Sequence, residues 1–118
     1  MMNQAKFNWD YSEKSDILNI HKLGKNVSGS AELGDFTIDF DAAGSVVGIE
    51  VMNAADFFSR VGFTKEQLSN LQNAEIAVTQ KKNSVLIVWV TLRYNDVEHT
   101  VPLPAPVVAE QNSASMEA

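Results

Sequence analysis

Cysteine is absent from the 118 residues, and that one absence removes disulfides, thiolate nucleophiles and cysteine-ligated zinc or iron–sulfur centres. Basic residues are scarce: nine Lys and Arg stand against 15 Asp and Glu, for a formal charge of -6. An acidic surface repels phosphate backbones, so nucleic acid is not an expected partner. Long apolar runs are missing too. The longest, Val85–Val90, is too short to cross a bilayer, and Met1 to Asp10 has no basic start leading into an apolar stretch. No membrane span and no signal peptide are therefore expected, and a cytoplasmic location is. The three prolines sit together at 102, 104 and 106, where they end any strand ladder. At this length one hydrophobic core is the expectation. The chain reads as a single α+β domain over residues 1–106, with a flexible tail over 107–118.

What is present is mostly strand pattern. Phe7, Trp9 and Tyr11 alternate with Asn8 and Asp10, and Leu18 with Ile20 marks a second strand. Gly24 to Ser30 reads as a polar loop. Phe36, Ile38 and Phe40 then share one face, Asp41 to Gly44 supplies turn chemistry, and Val47, Ile49 and Val51 return on the same side. Placing Phe40 opposite Ser45 sets Asp35 opposite Glu50. A slip of one residue would expose both apolar rows, so the parity of this hairpin is strongly specified.

Two helix starts follow. Asn53 is placed to cap the first, whose stripe is Phe57, Phe58 and Val61 and whose end is Gly62. Thr64 and Gln67 have capping-box spacing, with Phe63 and Leu68 as an apolar staple around it. From Glu75 a meander is expected: Glu75–Gln80, a turn at Lys81-Lys82-Asn83-Ser84, the long strand Val85–Tyr94, a two-residue turn at Asn95-Asp96, and Val97–Val101. Tyr94 opposite Val97 would bring Arg93 to Glu98, Thr91 to Thr100 and Leu92 to His99. The sum is an α+β fold: a mostly antiparallel sheet of about seven strands, with two short consecutive helices between strands 4 and 5.

The stretch from Tyr11 to Ala54 resembles a widespread family of small prokaryotic proteins known as a domain of unknown function. The family pattern Tyr-Asp-x-x-x-Asp-x-Leu-x-Ile is met by Tyr11, Asp16, Leu18 and Ile20, with Ser12 in place of the usual aspartate. The pattern Asp-x-Asp-x-x-Gly-x-x-x-Gly-Ile-Glu-Ile/Val-x-Asn-Ala is met by Asp39, Asp41, Gly44, Gly48, Ile49, Glu50, Val51, Asn53 and Ala54. The resemblance implies a compact antiparallel α+β domain and, for short members, a place as partner of a small toxin-like protein. It carries over no functional residue.

Each candidate for chemistry has a structural counterpart. Asp39, Asp41, Gly44 and Glu50 come within one position of a calcium-binding helix–loop–helix loop; Ala43 offers no ligand where the fifth should be, and strands flank the segment where helices are needed. The acids Asp16, Asp35, Asp39 and Glu50 could hold a carboxylate pair, but charged residues most often line a solvated strand face. His99 shares a face with Val97 and Val101 and is expected in a core or interface, while His21 looks superficial. No Gly-x-Ser-x-Gly elbow and no phosphate-cradling loop occurs. No catalytic, cofactor-binding or metal-ligating residue is assigned.

Val85–Val90 is apolar on both faces, as in a strand covered twice. The helices can cover one face; the other calls for a further sheet segment or subunit. A homodimer through Trp89 or the row Phe7, Trp9 and Tyr11 is the expected assembly. The functional expectation is a non-enzymatic protein-interaction or structural module with a small protein partner. Its alternative is a small-molecule-binding domain using an aromatic pocket near Phe57, Phe58 or Trp89.

Overall fold

A computed structural model describes residues 6–80, 85–103 and 107–108. Five strands come first: β1 (Phe7–Ser12), β2 (Ile17–Lys22), β3 (Gly29–Leu33), β4 (Phe36–Phe40) and β5 (Val46–Met52). They form one antiparallel sheet in the order β1-β2-β5-β4-β3. After α1 (Ala54–Phe58), a 3-10 turn (Ser59–Val61) and α2 (Lys65–Leu68) come β6 (Asn73–Gln80), β7 (Val85–Tyr94), β8 (Val97–Pro102) and β9 (Val107–Val108). These make a second antiparallel sheet, β6-β7-β8, with β9 also on β7.

The expected α+β fold, one mostly antiparallel sheet of about seven strands with two helices between strands 4 and 5, is therefore corrected. The chain is mostly β in two sheets, and the helices are a five-residue segment and a single turn of four. Gly62, at φ 89°, ends the helical segment where expected. The strand count shifts because Gly29–Leu33, partly read as loop, is an edge strand, which puts the helices between β5 and β6. Only Ala31 and Leu33 of that strand turn inward, and the tight turn at Gly34 (φ 66°) and Asp35 joins it to β4. Of the segment 107–118 expected as a tail, Val107–Val108 pair with Val85 and Leu86. The rest of it, the turn at 81–84 and the prolines at 104 and 106 lie outside the described residues.

Between the sheets lies one core. Leu18, Ile20, Ile38, Ile49 and Val51 from the first sheet meet Ala74, Val88, Val90 and Leu92 from the second, with Phe58, Phe63 and Leu68 closing one end. Burying a side chain of this size contributes about 1.5–3 kcal/mol, and these ten-odd residues tie the sheets into one cooperative unit. Phe7, Trp9 and Tyr11 pack against the same core. That aromatic row, expected as a dimer contact, faces inward. The β7–β8 hairpin has the expected register, Arg93 opposite Glu98 and Leu92 opposite His99. Its turn residues Asn95 and Asp96 both adopt positive φ, 55° and 65°, which suits the right-handed twist of the strands. Among the described residues no helix is long and apolar enough to cross a membrane.

Candidate functional site

Two aspartates of the family-like patterns, Asp16 and Asp41, each accept hydrogen bonds from backbone N–H groups. Asp16 sits in the β1–β2 turn with φ 58°. Its Oδ1 accepts from the Tyr11 hydroxyl at 2.6 Å and from the Ala55 backbone N–H at 2.9 Å, while its carbonyl accepts from Ala54 N–H at 3.1 Å. The free N–H groups at the start of α1 are thus satisfied by a residue 39 positions earlier. Asn53, expected to cap this helix, makes no side-chain cap bond and takes up φ 56°; its amide reaches Asp35 at 3.4 Å. Burial first, then the hydrogen bond to Asp16 and the charges of Asp16 and Glu13, pushes the Tyr11 hydroxyl well above its usual range. The group stays protonated and donates. By contrast, Thr64 and Gln67 form the predicted capping box in full.

Asp41 closes the β4–β5 loop in the same way. Its Oδ1 accepts from Ala43 N–H at 3.0 Å and Ser45 N–H at 2.9 Å, and Gly44 turns with φ 85°. The carboxylate that the calcium-loop spacing singled out is spent on its own turn. Glu50 lies along β5 opposite Thr37 and Asn19. Asp35 is not opposite it: the hairpin pairs Phe36 with Val51 and Ile38 with Ile49, and a bulge between Asp39 and Phe40 takes up the odd residue. Parity survives, but the register differs by two residues from the expected one. Among the described residues no group of three or more His, Asp or Glu side chains is placed to hold a metal ion.

Two rows of the first sheet's solvent face are polar, and the row beside them carries Ile17 and Met52, the latter 40% exposed. One row across the strands runs Asn8, His21, Gly48, Asp39, Ser30; the next runs Asp10, Asn19, Glu50, Thr37, Glu32. Gly48 has a specific reason. A Cβ there would stand 2.7 Å from His21 Cδ2 and 3.0 Å from Asp39 Oδ2, so the glycine lets the two side chains lean together above the central strand. Asp39 Oδ1 accepts in turn from the Ser30 hydroxyl at 2.6 Å. His21, expected at the surface, is half-buried in this row. No signal short of the strand order could have joined it to Asp39.

The second sheet turns a different face outward. Ala77 pairs with Trp89, Thr79 with Ile87 and Thr91 with Thr100. Trp89 is pinned there by its indole N–H donating to Thr79 Oγ1 at 2.9 Å. Ile87 and Trp89 are intermediate in burial and do not belong to the core cluster that takes in Leu86, Val88 and Val90. The inward row ends at His99, whose ring meets Phe63 edge-on at 5.8 Å. His99, Phe63, Tyr94 and Val97 border an open cleft of about 230 Å3. Phe57 and Phe58 border a smaller cleft of about 190 Å3 with Arg60, Val101 and Pro102. Phe58 is in the core, and Phe57 lies edge-on to Phe36 and Phe58 with the Arg60 guanidinium 5.8 Å from its ring centre.

Comparison with known proteins places a boundary along this architecture. Residues 8–54 match the family model described as "Protein of unknown function (DUF2283)". They run from β1 to the first residue of α1, the five-stranded sheet and the start of the helix that Asp16 caps. The resemblance read from Tyr11 to Ala54 is thereby shown for that part of the chain. A curated relative, "Uncharacterized protein MJ0789" of Methanocaldococcus jannaschii, is 42% identical over 50 residues, 42% of this chain and 43% of that protein. The chain thus matches less than half the length of this relative. No solved structure matches. The function of family and relative is unknown by their own descriptions.

Proposed function

We propose that the chain is a non-enzymatic protein-interaction module whose contact surface is the outer face of the second sheet. The observation that carries the reading is the position of Ile87 and Trp89. They lie on the side of β7 turned away from the core, partly accessible, with small and β-branched neighbours in Ala77, Thr79 and Thr100. Partly accessible apolar side chains outside the core, one of them oriented by the hydrogen bond of its indole, are typical of surfaces that bind other proteins. Supporting it from the other side, Tyr11, Asp16, Asp41, Gly44 and Ala54 are spent on turns and a helix start. What makes the family-like region recognisable is scaffold.

The partner that fits is a small basic protein, complementary to a chain of charge -6 and consistent with the toxin-like neighbours the resemblance implies. We take the module to act in the cytoplasm, where a cysteine-free, acidic chain is at no disadvantage. The test is co-purification of the tagged full chain from cells that encode it. A small basic protein held at fixed stoichiometry by the natural chain, and released by Ile87→Asp or Trp89→Ala at unchanged secondary structure, supports the reading. Its retention by both variants, or its repeated absence, removes it.

A further inference from the structure

We propose that β6 pairs, along its free edge, with β6 of a second copy of this chain; the inference rests on the reading of the chain as an interaction module. In the order β6-β7-β8, β6 has a strand on one side only among the described residues. From Ile76 to Gln80 it carries no charge and no proline. The other free edges do: Asp10 on β1, Glu32 on β3, and Glu98 with Pro102 on β8. Charges and prolines on an edge are what keep it from pairing with another chain. The end of β6 lacks them.

Side chains make the same point. Ile76 and Val78 belong to the inward row, opposite Val90 and Val88, which are fully buried. Val78 is nonetheless 40% exposed. Beside it a groove of about 460 Å3 opens between the sheets, walled by Val46, Ile76, Val78 and Leu86. A strand laid along β6 would hydrogen-bond to its edge and drop alternate side chains into that groove.

A second copy satisfies the geometry without further partners. Antiparallel pairing about a two-fold axis at Val78 sets Val78 against its equivalent, Ala77 against Thr79 and Ile76 against Gln80. Every pair in this register matches inward with inward and outward with outward, so the partner's valine and isoleucine reach the groove. Such a pairing consumes both edges and closes, so it yields a dimer and not a fibre. Glu75, the strand's one charge, lies away from the axis. Each copy carries a charge of -6, so added salt screens the repulsion and tightens the pair.

Sedimentation equilibrium of the full chain across the micromolar range tests this. The expected result is a monomer–dimer equilibrium that tightens with salt and is weakened about tenfold or more by Val78→Lys, which sets two ammonium groups across the axis. Circular dichroism should leave that variant's fold unchanged. If Val78→Lys does not fold, amide exchange of the natural chain decides: protection of Ile76–Gln80 must rise with protein concentration. A monomer throughout, or exchange independent of concentration, overturns the pairing and leaves the basic-partner reading to its own test. A dimer that ignores Val78→Lys but is lost in Ile87→Asp also overturns it, and would assign self-association to the outer face of the second sheet.

Discussion

In the first sheet Leu18, Ile20, Ile38, Ile49 and Val51 face the core. The other side carries two polar rows, from Asn8 to Ser30 and from Asp10 to Glu32, with Ile17 and Met52 at their margin. In the second sheet the central strand differs. Leu86, Val88 and Val90 point into the core, and Ile87 and Trp89 point out. The outer side of the first sheet is mostly polar; the central strand of the second places Ile87 and Trp89 on its outer side. The family match stops at the boundary between the sheets, covering residues 8–54. The first sheet therefore carries what this chain has in common with its relatives, and the second carries the surface we propose for a partner.

The largest effects should come from the core the two sheets share. Ile49→Ala in the first and Leu92→Ala in the second are each expected to cost about 2–5 kcal/mol, because both residues are 1% exposed. Urea unfolding followed by circular dichroism and by tryptophan fluorescence should show one coincident transition in each variant. Two separated transitions would split the sheets into independent units.

Next comes the link from the first sheet to α1. Asp16→Ala removes a helix cap and orphans the Tyr11 hydroxyl, at an expected cost of about 2 kcal/mol, and Tyr11→Phe should cost about 1 kcal/mol. The tyrosine also sets a pH dependence. Its folded-state pKa is raised above the unfolded value of 10.0. The unfolded chain therefore loses its proton first, and the stabilisation is complete below pH 10 and declines as pH rises beyond it. Tyr11→Phe should flatten that alkaline decline.

Smaller effects separate the two outward faces. Gly48→Ala is expected to cost about 1–2 kcal/mol, since the new methyl meets His21 and Asp39. Adding His21→Ala should return part of the loss, a coupling readable in a double-mutant cycle. On the second sheet, Asp96→Gly should raise stability by about 0.5 kcal/mol, because position 96 holds φ 65°. Thermal unfolding would register either sign.

How far the sequence was readable follows the same division. The capping box at Thr64, the shared face of Phe7, Trp9 and Tyr11, and the β7–β8 register were all legible, because each depends on local spacing. Gly29–Leu33 escaped notice as a strand because a short edge strand needs only Ala31 and Leu33 to face inward. The division into two sheets was hidden for a related reason: strand order is a long-range property. Asp16 as the cap of α1 was out of reach too, since its partner lies 39 residues away, while Asn53 offered a nearer, plausible cap. Of the candidate surface, the two-sided apolar character of Val85–Val90 was legible in full; what the fold added was which of its sides the core already uses.

Hydroxyl-radical footprinting of the full chain, alone and in complex with a small basic protein recovered by the co-purification proposed above, tests the central claim most directly. The account predicts that Ile87, Trp89 and Pro102 become protected in the complex while His21 and Phe40 of the first sheet react as before. Protection confined to the first sheet, with Trp89 unchanged, would contradict it.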